Sequence, residues 1–175
     1  MGVVLVGGAS RRFGSPKALA RFRGRSLAEH AWCLVGETFG SRFAVGKVSD
    51  LLELPFPIVD DGTEIRAPLA GVVAGLRAAP HDLCVFVPVD VPLLTPTALR
   101  ALADGCRDAA VPATGPLPGA YRRRALTVLE HRLAVGELAL HEALDELDVA
   151  IVPIDESLLA NVNERADLER IGRIL

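Results

Sequence analysis

Polar residues stand at the ends of several apolar runs of this chain, and their types suit phosphate and metal chemistry. The first group is Leu5-Val6-Gly7-Gly8-Ala9-Ser10-Arg11-Arg12-Phe13-Gly14-Ser15-Pro16-Lys17. Adjacent glycines let a backbone pass close to a flat ligand and aim amides at phosphate oxygens. Arg11, Arg12 and Lys17 are the cations that would neutralise those oxygens. The spacing is neither a Walker A loop nor G-x-G-x-x-G, and a solvated turn with ordinary surface cations is the plainer alternative. Asp90 is the second feature, the only charged residue between Leu83 and Leu99. A carboxylate ending a buried strand is costly unless a cation, a metal or backbone amides meet it. As a hard oxygen ligand it suits Mg²⁺, which uses one or two carboxylates together with substrate phosphates. The simpler alternative is a turn cap ahead of Thr95.

Three weaker groups follow. Asp60-Asp61-Gly62 is an acidic pair that turn chemistry alone explains. Asn161-Val162-Asn163 offers a loop residue and a helix N-cap. Arg122, Arg123 and Arg124 are either a solvated face or a site for an anionic acceptor. A serine hydrolase is excluded, because there is no Gly-x-Ser-x-Gly elbow and Ser10 lies among arginines with no histidine beside it.

Apolar β-type runs alternating with helical patterns would position these residues. Strands are expected at Val3 to Val6, Arg42 to Val45, Pro57 to Val59, Leu83 to Val89, Ala109 to Pro112, Gly119 to Arg122 and Val149 to Ile154. Helices are expected from Leu27 to Val35, opened by a Ser26–Glu29 capping box, and from Pro68 through Leu69, Val72, Val73 and Leu76. Further helices are expected after Thr95-Pro96, over Ala125 to Leu133 and Leu140 to Leu147, and after an Asn163 cap. Alternation of this kind implies one α/β domain over residues 1–175, with three layers and a mostly parallel sheet. Ligands on such sheets bind at the carboxyl ends of strands, where Gly7 to Lys17, Asp60-Asp61 and Asp90 fall.

Composition removes other classes. With 19 basic and 22 acidic residues the net charge is −3, so no general nucleic-acid or membrane binding is expected. The opening Met1–Gly7 run is too short to span a membrane and lacks a basic n-region. Cys33, Cys84 and Cys106 are odd in number and widely spaced, which suits a reducing cytoplasm rather than a disulfide framework or zinc site.

Taken together, the motifs resemble the MobA family of molybdenum cofactor guanylyltransferases. Leu5-Val6-Gly7-Gly8, Arg12-Phe13-Gly14 and Lys17 resemble the family's L-A-G-G-x-S-x-R-M-G-x-D-K signature. Pro68-Leu69-Ala70-Gly71, Val89-Asp90-Val91-Pro92, Pro118-Gly119-Ala120-Tyr121-Arg122-Arg123 and Asn161-Val162-Asn163 are similar to its later motifs, in the same order. The resemblance implies a Rossmann-like α/β/α nucleotidyltransferase that transfers GMP from GTP to molybdopterin, free or molybdenum-loaded, with release of pyrophosphate. It implies Leu5, Val6, Gly7 and Gly8 around the guanine, Lys17 and Arg12 on phosphate, Asp61 near ribose and base, and Asp90 on Mg²⁺. It places Arg122 and Asn163 on the acceptor side, and implies proteins that deliver or receive the cofactor as partners. The chain departs from the family at Val6 (usually alanine), Phe13 (methionine), Pro16 (aspartate) and Gly46 (often asparagine). Two alternatives remain at this point: a related transferase using CTP or a sugar or polyol phosphate, and a non-catalytic nucleotide-binding module.

Overall fold

The computed structural model describes residues 1–7 and 16–172. Side chains alternate across β1 (Gly2–Leu5): Val3 and Leu5 pack into one apolar cluster, Val4 into another with Val6 just beyond the strand. A strand covered on both faces reads as an unbroken apolar run, which is why this segment was visible in the sequence. A 3₁₀ turn at Lys17–Leu19 leads to the hairpin β2 (Arg21–Phe22) and β3 (Arg25–Ser26). Its two turn residues, Arg23 and Gly24, both have positive φ (48° and 82°), the condition for the tightest hairpin turns.

Helix α1 (Leu27–Phe39) starts at the expected capping box. Ser26 Oγ accepts the Glu29 amide at 3.2 Å while Glu29 Oε2 accepts the Ser26 amide at 2.7 Å. The helix runs a turn beyond Val35, and Gly36 within it leaves room for Arg42: a methyl at Gly36 would overlap that guanidinium. Arg42 Nη1 donates to the Trp32 carbonyl at 2.6 Å, and its guanidinium lies 4.4 Å from the Trp32 ring centre. The same indole stacks on Phe56 at 4.2 Å, nearly parallel.

The chain continues through β4 (Arg42–Gly46), β5 (Ile58–Asp60), α2 (Pro68–Ala78) and β6 (Leu83–Pro88). Helix α3 (Pro96–Gly105) has proline in its first turn and a Thr95 cap that accepts the Ala98 amide at 3.2 Å. Then come β7 (Ala109–Val111), β8 (Gly119–Arg122), α4 (Leu126–Val135), α5 (Leu140–Ala143), β9 (Val149–Ile151) and α6 (Arg165–Gly172). Two elements are shorter than expected. The Leu140–Leu147 segment is one helical turn followed by a 3₁₀ turn at Leu144–Glu146. The last strand stops before Pro153, which has no amide for the ladder.

Seven strands form one sheet in the order β5-β4-β1-β6-β8-β7-β9. The pairs β5·β4, β4·β1, β1·β6 and β7·β9 are parallel, while β6·β8 and β8·β7 are antiparallel, so β8 alone runs against the rest. One sheet face packs on α1, α3 and α6 through Leu27, Ala31, Leu99, Leu102 and Ile171. The other packs on α2, α4 and α5 through Leu69, Val72, Leu76, Leu129 and Leu140. The result is the three-layer α/β/α arrangement with a mostly parallel sheet. Among the described residues no helix is long and apolar enough to cross a membrane.

The second interface is tight at Gly75, where α2 lies against the fully buried Phe86. A methyl at Gly75 would meet Phe86 Cζ at 3.0 Å and Val3 Cγ1 at 3.3 Å. Glycine to alanine inside a helix is ordinarily favourable by about 1 kcal/mol. Overpacking reverses that sign here, and Gly75→Ala should lose about 1–2 kcal/mol in urea unfolding. A gain in stability would show that the helix slides freely over Phe86.

Candidate active site

Strand register decides which loops meet. Leu5 lies opposite Val45 on one side and Pro88 on the other, and Gly46 lies opposite Asp60. Val6-Gly7, Lys47, Asp61 and Val89-Asp90 therefore leave the sheet along a single edge. The chain passes from β1 outward through β4 to β5, then returns to β6 on β1's other side. Such a reversal opens a crevice at the carboxyl ends of the two strands. A cleft of about 740 Å³ lies there, closed on a third side by the first turn of α2 at Pro68 and Gly71. That size suits a small-molecule ligand.

Asp90 stands at the centre. Its Oδ2 accepts Lys17 Nζ at 3.1 Å, and both side chains keep some exposure to the cleft (27% and 18%). Lys17 Nζ also lies 3.5 Å from Asn163 Oδ1. The Asn161–Asn163 segment is anchored here because the Val162 amide donates to the Asp90 carbonyl at 2.8 Å. Asn163 was expected to cap the last helix; instead its side chain faces Lys17, while Asp167 accepts the amides at the start of that helix.

The opposite wall holds a buried ion pair that the sequence reading overlooked. Lys47 Nζ donates to Asp61 Oδ1 and Oδ2 at 2.9 and 3.0 Å and also to the Thr63 carbonyl, so its three protons have three acceptors. The two side chains are only 6% and 8% exposed. The pair ties the end of β4 to the loop leading into α2. Neighbouring Asp60 closes the turn instead of facing a ligand. Its carboxylate accepts the Val48 amide at 2.8 Å and the Gly62 amide at 2.7 Å, and these bonds hold it below the usual carboxylate range. At the rim Arg66 makes a two-bond pair with Asp50, at 2.6 and 3.2 Å. Lys47, Asp50 and Arg66 belong to no motif, but Lys47 directly follows a strand, and that position was the available signal.

Val6 and Gly46, two of the departures noted above, form one feature. A Cβ at position 46 would lie 2.7 Å from Val6 Cγ2. The larger residue in β1's exit and the absent side chain in β4 thus fit each other.

Of the sequence-derived candidates, Leu5, Val6, Gly7, Lys17, Asp61 and Asp90 line the cleft, and Asn163 joins them through Lys17. Gly8 and Arg12 lie outside the described residues. Arg122, expected on the acceptor side, is not brought to this cleft. It pairs in register with Leu83, at the amino end of β6, and its guanidinium meets Asp82 at 2.7 Å. Its neighbours are equally engaged: Arg123 donates to the Ala79 carbonyl just past α2, and Arg124 pairs with Asp108.

Comparison with known proteins sets this geometry in context. Residues 2–151 match the model of the MobA-like NTP transferase domain. A probable molybdenum cofactor guanylyltransferase of Bacillus licheniformis is 33% identical, the match covering 97% of this chain and 94% of the relative. The crystal structure of molybdopterin-guanine dinucleotide biosynthesis protein A from Archaeoglobus fulgidus superposes with a TM-score of 0.78 at 27% identity, covering 99% of this chain and 98% of that one. The 2-C-methyl-D-erythritol 4-phosphate cytidylyltransferase of Thermus thermophilus shares the fold (TM-score 0.76, 18% identity, 98% and 96% covered).

Two outcomes test the walls of the cleft. Lys47→Met strands a buried carboxylate and should lower stability by about 3–5 kcal/mol, most of it recovered when Asp61→Leu is added. Equal stability of Lys47→Met and the parent protein would mean that the pair is solvated. Gly46→Ala should reduce the melting temperature, and adding Val6→Ala should restore it; independent effects of the two changes would show that these residues do not touch.

Proposed function

Because the chain belongs to the MobA-like NTP transferase family, we propose that it transfers GMP from GTP to molybdopterin, free or molybdenum-loaded, releasing pyrophosphate and forming the guanine dinucleotide cofactor. The observation that carries this reading is the meeting of Lys17, Asp90 and Asn163 at the mouth of a nucleotide-sized cleft. The chain acts as one nucleotidyltransferase domain. Its free thiols at Cys33, Cys84 and Cys106 suit a reducing cytoplasm, where proteins that supply or receive the cofactor are the expected partners.

The backbone at Leu5, Val6 and Gly7 borders the guanine, and Gly8 is read as nucleotide-binding. Asp61 stands at the ribose and base end, its carboxylate fixed by Lys47. Lys17 moves its charge from the Asp90 carboxylate to the incoming phosphates, a role in which Arg12 assists. Asn163 faces the acceptor. Asp90, a partly exposed hard-oxygen donor at a strand end, would hold Mg²⁺. Held there, the ion would supply charge neutralisation for the phosphates. The acceptor's terminal phosphate is already ionised, so the residues need no strong general base. Their contribution is in-line positioning and stabilisation of charge on the transferring phosphoryl group.

The competing reading that keeps the same chemistry is a different nucleobase, with CTP the natural competitor. Pyrophosphate release with molybdopterin, Mg²⁺ and each NTP in turn separates the two. Release with GTP alone is expected; a clear CTP preference keeps the chemistry and changes the nucleotide. Asp90→Ala should keep a parental circular-dichroism spectrum and lose at least about 10²-fold in turnover. Undiminished turnover in that variant would sink the mechanism.

A further inference from the structure

Asp167 lies in the first turn of α6, close to the mouth of the cleft yet outside every motif considered above. One carboxylate oxygen, Oδ2, accepts two backbone amides, Asn163 N at 2.8 Å and Glu164 N at 3.0 Å. The other, Oδ1, accepts Arg170 Nη2 at 2.9 Å. Capping the helix requires only the amide next to it. Asp167 reaches one residue further and holds the backbone of Asn163 itself. On the preceding side the Val162 amide is fixed to the Asp90 carbonyl at 2.8 Å. Asn163 is thus clamped from both directions, and its side-chain oxygen is left facing Lys17 at 3.5 Å.

The electrostatics agree with this arrangement. The Asn163 amide, then the Glu164 amide, hold the Asp167 carboxyl below its ordinary range, with Arg170 and Lys17 adding to the effect. A lowered value in the folded protein means the contribution is present above the unfolded-state value and lost as pH falls through the folded one. At neutral pH the carboxylate is ionised and the clamp is closed.

We propose that Asp167 is a positioning residue for the acceptor end of the active site, fixing the Asn163 backbone so that its side-chain amide is presented beside Lys17 and Asp90. The inference rests on the assignment of Asn163 to the acceptor side. The role assigned to Asp167 is exerted through the Asn163 backbone that it holds.

A double-mutant cycle with GTP and molybdopterin tests it. Asp167→Ala should raise the molybdopterin KM about tenfold, the scale of a lost charge-assisted hydrogen bond, while the GTP KM stays within about twofold. Asp167→Glu, whose carboxylate still reaches the first-turn amides, should return most of that loss. The Asn163→Ala/Asp167→Ala double variant should be no worse than Asn163→Ala alone. Asp167→Leu, similarly branched and unable to accept either amide, gives the same reading if the alanine variant is poorly folded. Independent, multiplying effects of the two alanine changes would overturn the proposal, as would an equal rise in both KM values. If Asn163→Ala itself leaves the molybdopterin KM unchanged, the acceptor assignment fails and this inference falls with it.

Discussion

Parallel pairing of β1 with β4 on one side and β6 on the other is the constraint from which the site follows. Parallel neighbours deliver their carboxyl ends to the same edge, so three loops distant in sequence must open there together. Each then contributes what its chemistry allows: bare backbone at Val6-Gly7, a buried amine at Lys47, and a carboxyl group at Asp90. Register fixes the heights. Because Leu5 is level with Pro88, Asp90 emerges two residues above the sheet, where Lys17 can reach it from the following turn.

Much of this was legible because burial on both faces leaves a plain trace. The Leu83–Pro88 strand is apolar throughout, so the charge that follows it stands out. The Ser26–Glu29 box and the prolines opening α2 and α3 encode their starts locally, and each appears where local chemistry puts it. What depends on long-range pairing was not legible. Arg122 follows a recognisable strand, but no local signal reveals that strand's direction. β8 runs backwards, so its carboxyl end lies at the far edge and Arg122 with it. The brief β2–β3 hairpin is too short to show a period. Lys47 looks like any lysine after a strand until Asp61, 14 residues later, folds back against it. Asn163 has the residue type of a cap, and only tertiary structure turns its side chain towards Lys17.

The two walls of the cleft solve different problems. The Lys47–Asp61 wall is buried and saturated with hydrogen bonds, so it holds shape. The Lys17–Asp90 wall is partly open, and its ion pair is of the kind that exchanges partners at little cost. The cleft thus meets two requirements, fixed shape and movable charge. Glycine at position 46 belongs to the first requirement, leaving space that Val6 fills.

The stack of Trp32 on Phe56 reaches beyond packing. Trp32 is the chain's single tryptophan, and Phe56 belongs to the stretch between the Lys47 wall and β5. All indole emission of this protein therefore originates at one place, where α1 meets the segment that continues into β5 and the Asp61 wall of the cleft. The molecule carries its own optical label, and its spectrum registers whether that segment is docked without any dye being attached.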